Sequence, residues 1–190
     1  MFITRSEESL HGLSFSVRRF VSSGPLARVA PSDFFLYGSF VRSVWSREPW
    51  EDINLAFRTE SARSEIDPVQ LAKQRFSIAP LLYDHPATLL EEADFSVCQA
   101  VYCDGCFHLS AVFFEHLAQR LLVVARPLPP AAAYRSLCRV LKLTRRGYSI
   151  SERDFSGLVQ AAAGADASSL RAAALRNAGN VLLGPIEDCE

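Results

Sequence analysis

One short passage constrains the fold of this chain more than any other: an apolar run that ends in Gly38-Ser39. The run, Phe34 to Tyr37, predicts a buried strand, and the Gly-Ser pair predicts a sharp turn into a helix over about Phe40 to Ser46. Glycine lets another group approach the backbone closely, and the main-chain N–H groups of a helix start can bind an anion. The passage therefore predicts a strand–turn–helix unit with room for a phosphate group.

Two polar side chains open the next predicted strand. Asp52 and Asn54 stand two residues apart, around the start of a strand predicted over Ile53 to Phe57. Because strand side chains alternate between faces, these two point to the same side. Oxygen ligands on one face are typical of a site for a hard cation such as Mg²⁺.

The order of these features resembles the signature of the nucleotidyltransferase-fold superfamily. That signature is an apolar strand, Gly-Gly or Gly-Ser, a spacer, and then Asp-x-Asp or Asp-x-Glu, so Asn54 replaces the second acid here. The resemblance covers about the first half of the chain. It implies an α/β (α+β) fold. In this fold residues 1–126 form a mixed-sheet core with an N-terminal helix, and residues 127–190 form a C-terminal helical annex packed on it.

The resemblance also implies a set of site residues around one cleft. Superfamily members take a third acid from a later strand, and Asp94 opens a strand predicted over Phe95 to Tyr102. The implied metal ligands are Asp52, Asn54 and Asp94; the implied catalytic residues are Asp52 and Asp94; the implied phosphate-binding residues are Gly38 and Ser39. The implied cofactor is Mg²⁺, and the implied ligand is a nucleoside triphosphate.

A basic stripe follows later in the chain. Its members recur at three- and four-residue spacings on a helix predicted over Ala131 to Arg146: Arg135, Arg139, Lys142 and Arg146. In related folds a basic residue of the C-terminal helix contacts the triphosphate, which implies that Arg139 and Lys142 bind nucleotide here. A solvated helix face is the alternative interpretation.

Turn and breaker signals place the remaining elements. Asp104-Gly105 predicts a tight hairpin turn with Cys103 and Cys106 paired across the ladder and no zinc bound. The other predicted strands are an edge strand from Ile78 to Tyr83 and a strand from Cys106 to Leu109. The other predicted helical segments are a partly helical one from Ser6 to Val21, a helix from Asp67 to about Phe76 and Ala-rich helices after Glu152. A further helix is predicted to be capped by Ser110, with its inward-facing residues being Val112, Phe113, Leu117 and Leu121.

Composition limits the class of protein. A chain of 190 residues with 49% hydrophobic content and net charge −1 can bury a full core and has no global attraction to nucleic acid or anionic membrane. The apolar runs are too short to cross a bilayer, and the first residues do not have the pattern of a signal peptide. The 5 cysteines, an odd number, indicate reduced thiols, so we expect a cytoplasmic protein with no membrane partner.

These observations favour a protein that binds a nucleoside triphosphate with Mg²⁺ and transfers a nucleotidyl group to a hydroxyl acceptor, which the sequence does not identify. Asn54 leaves a rival open, a catalytically inactive member of the fold that serves as a binding or structural module, for instance in a viral or phage assembly. A third hypothesis, a toxin–antitoxin component, rests on fold analogy alone. A protein partner is compatible with each of them.

Overall fold

The computed structural model describes residues 1–6, 17–66 and 75–166. These residues form a six-stranded sheet, a two-stranded sheet and the helices that cover them. The strands are β1 (Phe2–Ser6), β2 (Phe34–Tyr37), β3 (Ile53–Phe57), β4 (Phe76–Leu82), β5 (Ala100–Cys103), β6 (Cys106–Ser110), β7 (Leu121–Leu122) and β8 (Ser149–Ile150). The helices are α1 (Val17–Ser23), α2 (Ser39–Ser46), α3 (Glu60–Ser64), α4 (Pro86–Glu92), α5 (Phe113–Ala118), α6 (Pro130–Thr144) and α7 (Glu152–Ala163), with a 3₁₀ turn at Ser96–Cys98.

The large sheet is mixed and places the Gly-Ser turn near its middle. Its strand order is β1-β6-β5-β2-β3-β4. β3 and β4 are parallel, and every other neighbouring pair is antiparallel. β4 lies at an edge, as predicted from Pro80, because proline cannot donate to a second neighbouring strand. The mixed sheet with its covering helices confirms the predicted fold class.

Side-chain alternation divides the large sheet into two differently covered faces. On one face, Leu36 of β2 and Leu55 of β3 are fully buried in the main core, together with residues of α1 and α2. On the other face, Phe35 and Ala56 pack with residues of α4 in a smaller cluster. Tyr37 packs against that smaller cluster. Next to Tyr37 in the β2–β3 register stands the polar residue Asn54, at the limit of the smaller cluster.

A second core lies beneath α6 and α7. Phe95 and Leu122 are fully buried there, with Val140 of α6 and Leu158 of α7. This cluster draws on residues from both sides of position 126. The predicted division into residues 1–126 and 127–190 stays a prediction. No helix of the described residues is long and apolar enough to span a bilayer.

The turn between β2 and α2 requires glycine. Gly38 has φ 65° and ψ −129°, a conformation that side-chain-bearing residues rarely adopt. Its N–H donates to the carbonyl of Ala100 at 2.9 Å, and its carbonyl accepts from the N–H of Arg42 at 3.1 Å. The turn is thus fixed on one side by β5 and on the other by α2.

We expect Gly38→Ala to lower the free energy of unfolding by about 1–3 kcal/mol, the usual range for a residue held in a sparsely populated backbone conformation. Apart from the adjacent residues, no described atom lies within 4 Å of the position that a Cβ would take at Gly38, so the loss comes from the backbone alone. Gly157→Ala in α7 is the matched control, since its Cβ also meets open space. There alanine should stabilise the helix by up to about 1 kcal/mol. Urea unfolding measures both, and a neutral Gly38→Ala would contradict the expectation.

The hairpin between β5 and β6 confirms the sequence prediction. Cys103 pairs directly with Cys106, and the turn residues Asp104 and Gly105 have φ values of 47° and 74°. Positive φ at both positions is the signature of a type I′ turn, whose twist matches that of the strands. Burial raises the pKa of the Cys103 thiol.

The predicted strand from Phe95 to Tyr102 is wrong over its first half. Ser96–Cys98 forms a 3₁₀ turn, and β5 begins only at Ala100. Phe95 makes an isolated bridge to Val124 and is fully buried in the second core. Packing beneath α6 therefore outweighs the strand propensity of this run.

Three other element predictions need correction. Ser110 is the last residue of β6 and does not cap α5, which begins after Val112 without a side-chain cap. Leu121 lies in β7 and not in that helix. The chain start forms the edge strand β1, which the sequence did not indicate. Of the helix predicted from Asp67, residues 67–74 lie outside the described residues, and its predicted end, Phe76, opens β4.

The predicted helices at both ends of the chain are only partly described. The helical segment predicted from Ser6 to Val21 is observed as α1 from Val17 onward, and residues 7–16 lie outside the described residues. The long helix α6 forms as predicted, although it ends at Thr144. In the Ala-rich tail α7 is observed, and residues 167–190 lie outside the described residues.

Candidate functional site

The Gly-Ser turn and the start of β3 meet through their side chains. Tyr37 lies directly opposite Asn54 in the β2–β3 register. The hydroxyl of Ser39 donates to Oδ1 of Asn54 at 3.1 Å. The pKa of the Tyr37 hydroxyl is raised, because its burial outweighs the neighbouring Asn54 side chain and the charge of Arg139, which both act to lower it. Asn54, which the resemblance implies as a metal ligand, is therefore hydrogen-bonded to the Gly-Ser turn.

Asp94 is held by donors on both carboxylate oxygens. Its Oδ1 accepts from Nη1 of Arg139 at 2.6 Å and from the backbone N–H of Phe95 at 3.0 Å. Its Oδ2 accepts from the hydroxyl of Ser136 at 2.7 Å. The Asp94 side chain is 12% exposed, so these bonds form largely out of water. Charge-assisted hydrogen bonds of this length are among the stronger contacts in proteins.

The far end of α6 contacts the loop in front of Asp52. Nζ of Lys142 lies 3.2 Å from Oε2 of Glu51, and Nη2 of Arg146 lies 2.7 Å from Oε1 of the same residue. Arg146 also donates from Nη1 to the carbonyl of Pro49 at 3.2 Å. Partial burial acts to raise the pKa of Glu51, but Lys142 and Arg146 outweigh it and the pKa is lowered.

Arg139 is the electrostatic centre of the site. The charge of Asp94 raises the pKa of Arg139 despite opposing burial, and Cys98 and Asp52 act in the same direction. Asp52 and Asp94 therefore both lie within electrostatic reach of one guanidinium. Asp52 itself makes no hydrogen bond or ion pair to another described side chain.

The structure thus brings most of the expected residues together, in an unexpected pairing. Ser39 contacts Asn54, Arg139 contacts Asp94, and Asp52 lies near Arg139. Lys142 contacts Glu51 at the edge of the site. These contacts give the positions of the side chains, and the roles assigned to them stay predictions.

Sequence reasoning missed three residues that shape the site: Tyr37, Glu51 and Ser136. Ser136 precedes Arg139 by three residues on one helix, a spacing that places both side chains on the same face, so this signal was available. Tyr37 could have been inferred from its place at the end of a strand beside the turn. The role of Glu51 depends on where α6 packs, which no local pattern indicates.

The residues, as arranged, do not fit the magnesium ion that the resemblance implies. Mg²⁺ needs near-octahedral coordination by oxygen atoms. Asp94 is engaged by protein donors on both oxygens, and Oδ1 of Asn54 accepts from Ser39, which leaves Asp52 as the open carboxylate. Among the described residues, no three His, Cys, Asp or Glu side chains gather as metal ligands. The magnesium site stays a prediction that would require Arg139 to release Asp94.

CCA-adding enzymes are among the solved structures with a similar fold. One is a Thermotoga maritima CCA-adding enzyme complexed with tRNA, with TM-score 0.62 and 15% identity over 93% of this chain. Another is a CCA-adding enzyme with CTP, with TM-score 0.66 and 14% identity over 91%. A third is a CCA-adding enzyme with ATP, with TM-score 0.63 and 15% identity over 91%.

These likenesses establish a nucleotidyltransferase-like fold for the chain. The chain spans about half the length of each of these proteins, 51%, 49% and 50% respectively. No family model and no curated protein matches the sequence. At such low identity the comparison concerns the fold, and the site has to be interpreted from its own residues.

Proposed function

We propose that this chain, with its nucleotidyltransferase-like fold, binds a nucleoside triphosphate without transferring its nucleotidyl group. The observation that carries the proposal is the state of Asp94, whose two carboxylate oxygens are held by Ser136 and Arg139. Nucleotidyl transfer of the usual kind needs acids that are open to a divalent metal. The chain keeps the phosphate-binding turn of such a fold, but two of its three implied metal ligands serve protein donors.

The start of α2 supplies the phosphate site in this proposal. The N–H of Arg42 donates to the carbonyl of Gly38, so the amides of Ser39, Phe40 and Val41 precede the first intrahelical bond. The space beside Gly38 is open. The helix dipole adds partial positive charge at this end. A phosphate group can therefore approach these amides without displacing a side chain.

Two cations of α6 are the candidates to assist: the charge of Arg139 acts on Tyr37 beside the turn, and Lys142 contacts Glu51. The Arg139 side chain is 41% exposed and that of Lys142 is 59% exposed, although each has an acidic partner. A guanidinium carries five N–H donors, so Arg139 can keep its bond to Asp94 and still present donors to a phosphate. Binding in this mode needs no rearrangement of the acidic side chains.

Proteins of similar fold support the choice of ligand class. Among them are CCA-adding enzymes in complex with CTP and with ATP. The amides at the start of α2 and the cations of α6 would contact phosphate groups and not the base. The proposed ligand is therefore a nucleoside triphosphate of unspecified base.

A second candidate is Mg²⁺-dependent transfer of a nucleotidyl group to a hydroxyl acceptor on protein, nucleic acid or a small molecule. One observation favours it: Asp52 is free of partners among the described side chains and lies close to the Arg139–Asp94 pair. In that case Asp52 and Asp94 would hold the metal, with Asn54 as an auxiliary ligand, once Arg139 had moved.

Thermal unfolding with ATP, CTP or GTP, in EDTA and then with Mg²⁺, tests the proposal. We expect at least one triphosphate to raise the melting temperature in EDTA, because a ligand that binds only the native state stabilises it by about 2.7 kcal/mol at 100 times its Kd. Arg139→Gln should reduce the shift. Arg145→Gln should not, since Arg145 directly follows α6, is exposed and has no side-chain partner among the described residues.

Incubation with an α-labelled triphosphate and Mg²⁺ separates the two candidates. The first candidate predicts no covalent incorporation into the protein or into added RNA. Incorporation that depends on Mg²⁺ would favour the second candidate. The absence of any thermal shift with all three nucleotides, with and without Mg²⁺, would contradict both.

A further inference from the structure

The helix α6 delivers two donors to a single carboxylate. Ser136 and Arg139 are three residues apart, so they project from one face of the helix. Ser136 donates to Oδ2 of Asp94 at 2.7 Å, and Arg139 donates to Oδ1 at 2.6 Å. The helix thus supplies one donor to each oxygen, and the backbone N–H of Phe95 adds a second donor to Oδ1, so the carboxylate is fixed in orientation as well as neutralised.

The same helix is also anchored at the segment that contains Glu51 and Asp52. Lys142 and Arg146 both contact Glu51, the residue before Asp52. The two contacts measure 3.2 and 2.7 Å. Lys142 lies about one turn past Arg139, in the last turn of α6, and Arg146 lies two residues after its end. The helix therefore bridges the segments that carry Asp52 and Asp94, and its position is fixed at both.

The charges of this bridge balance. The carboxylates of Glu51, Asp52 and Asp94 are matched by an equal number of cations, Arg139, Lys142 and Arg146. A divalent cation added to this balanced set would meet a guanidinium bonded to Asp94, and like charges at close range repel each other. Metal binding would therefore have to break the Arg139–Asp94 pair.

We propose that Arg139 is the resident cation of this site: together with Lys142 and Arg146 it neutralises the acidic residues Glu51, Asp52 and Asp94, so that the site excludes divalent metal. The proposal deepens the proposed function, because it makes triphosphate binding at this site independent of metal. It rests on the contacts of Arg139 with Asp94, on the anchoring of α6 at Glu51, and on the commitment of Asn54 to Ser39.

Binding of Mn²⁺ alone, followed by electron paramagnetic resonance and by thermal unfolding, tests this proposal. We expect wild-type protein to bind Mn²⁺ weakly and Arg139→Gln to bind it at least about tenfold more tightly, since the variant removes the competing charge. Mg²⁺ should displace the Mn²⁺ from the variant. Arg145→Gln, which removes an equal charge at the residue directly after α6, should behave as wild type.

Two further variants keep the test decisive. Arg139→Lys retains the positive charge and should not gain Mn²⁺ affinity. Adding Asp94→Asn to Arg139→Gln should remove the gain, because the metal then loses a carboxylate ligand. Tight Mn²⁺ binding by wild type, or a folded Arg139→Gln without any gain, would overturn the proposal; if Arg139→Gln fails to fold, the wild-type affinity and that of Arg139→Lys decide.

The metal experiment contains no nucleotide, so it fails separately from the proposed function. A wild type that binds neither triphosphate nor Mn²⁺, beside an Arg139→Gln variant that binds Mn²⁺, would contradict nucleotide binding and support Arg139 as the resident cation. A wild type that binds triphosphate in EDTA and also binds Mn²⁺ tightly would support nucleotide binding and contradict Arg139 as the resident cation.

Discussion

Phe40→Ala is expected to lower the free energy of unfolding by about 3–5 kcal/mol, the usual cost of removing a buried phenylalanine ring. Phe40 lies one residue beyond the first helical position of α2 and is fully buried in the main core. Its ring centroid lies 5.8 Å from that of Phe20 and 5.5 Å from that of Trp50. The substitution therefore leaves a cavity between α1, α2 and the loop that leads to Asp52.

Chemical denaturation with urea measures this loss, and Phe155→Ala is the matched control. Phe155 lies on α7 with 41% of its surface exposed, so truncation there should change stability little. We also expect Phe40→Ala to weaken triphosphate binding, since the amide of residue 40 belongs to the first turn of α2. Equal losses for the two variants would contradict the placement of Phe40 in the core.

Asp94→Ala is expected to lower the free energy of unfolding by about 2 kcal/mol, because it leaves the donors Ser136 and Arg139 without their shared acceptor. The figure is below that for a fully buried ion pair because the Arg139 side chain is 41% exposed and water can solvate it in part. The same change should tighten triphosphate binding, since it removes a negative charge and frees the guanidinium.

A double-mutant cycle with Asp94→Ala and Arg139→Gln isolates the pair. If the ion pair contributes as the 2.6 Å contact indicates, the two losses should fall short of additivity by at least about 1 kcal/mol. Asp94→Ala with Arg145→Gln is the control cycle and should be additive. Additive losses in the first cycle would show that Arg139 and Asp94 act independently in solution.

Local signals in the sequence were sufficient for the parts of the fold that depend on neighbouring residues. The strand–Gly38–helix unit and the Asp104-Gly105 hairpin both form as predicted. Each depends on a backbone conformation with positive φ that glycine adopts readily, so the residue type limits the geometry directly.

Long-range packing decided the segments where local propensity misled. The run from Phe95 to Cys98 has the composition of a strand, yet it enters the second core as a bridge residue and a 3₁₀ turn. The free energy of burying Phe95 and Val97 beneath α6 exceeds the roughly 1 kcal/mol span of strand propensities. A single sequence carries no local sign of that partner.

The sequence by itself determined which chemical groups the site contains: a Gly-Ser turn, the acids Asp52 and Asp94, an amide at Asn54 and a basic helix. Only the tertiary structure decided how they are paired. The partners of Asp94 are Ser136 and Arg139, which lie 42 and 45 residues further along the chain. Short-range conformational preferences fall off within a few residues, whereas an ion pair depends on where whole helices pack, and the packing of α6 turned a predicted metal ligand into the acceptor of an arginine.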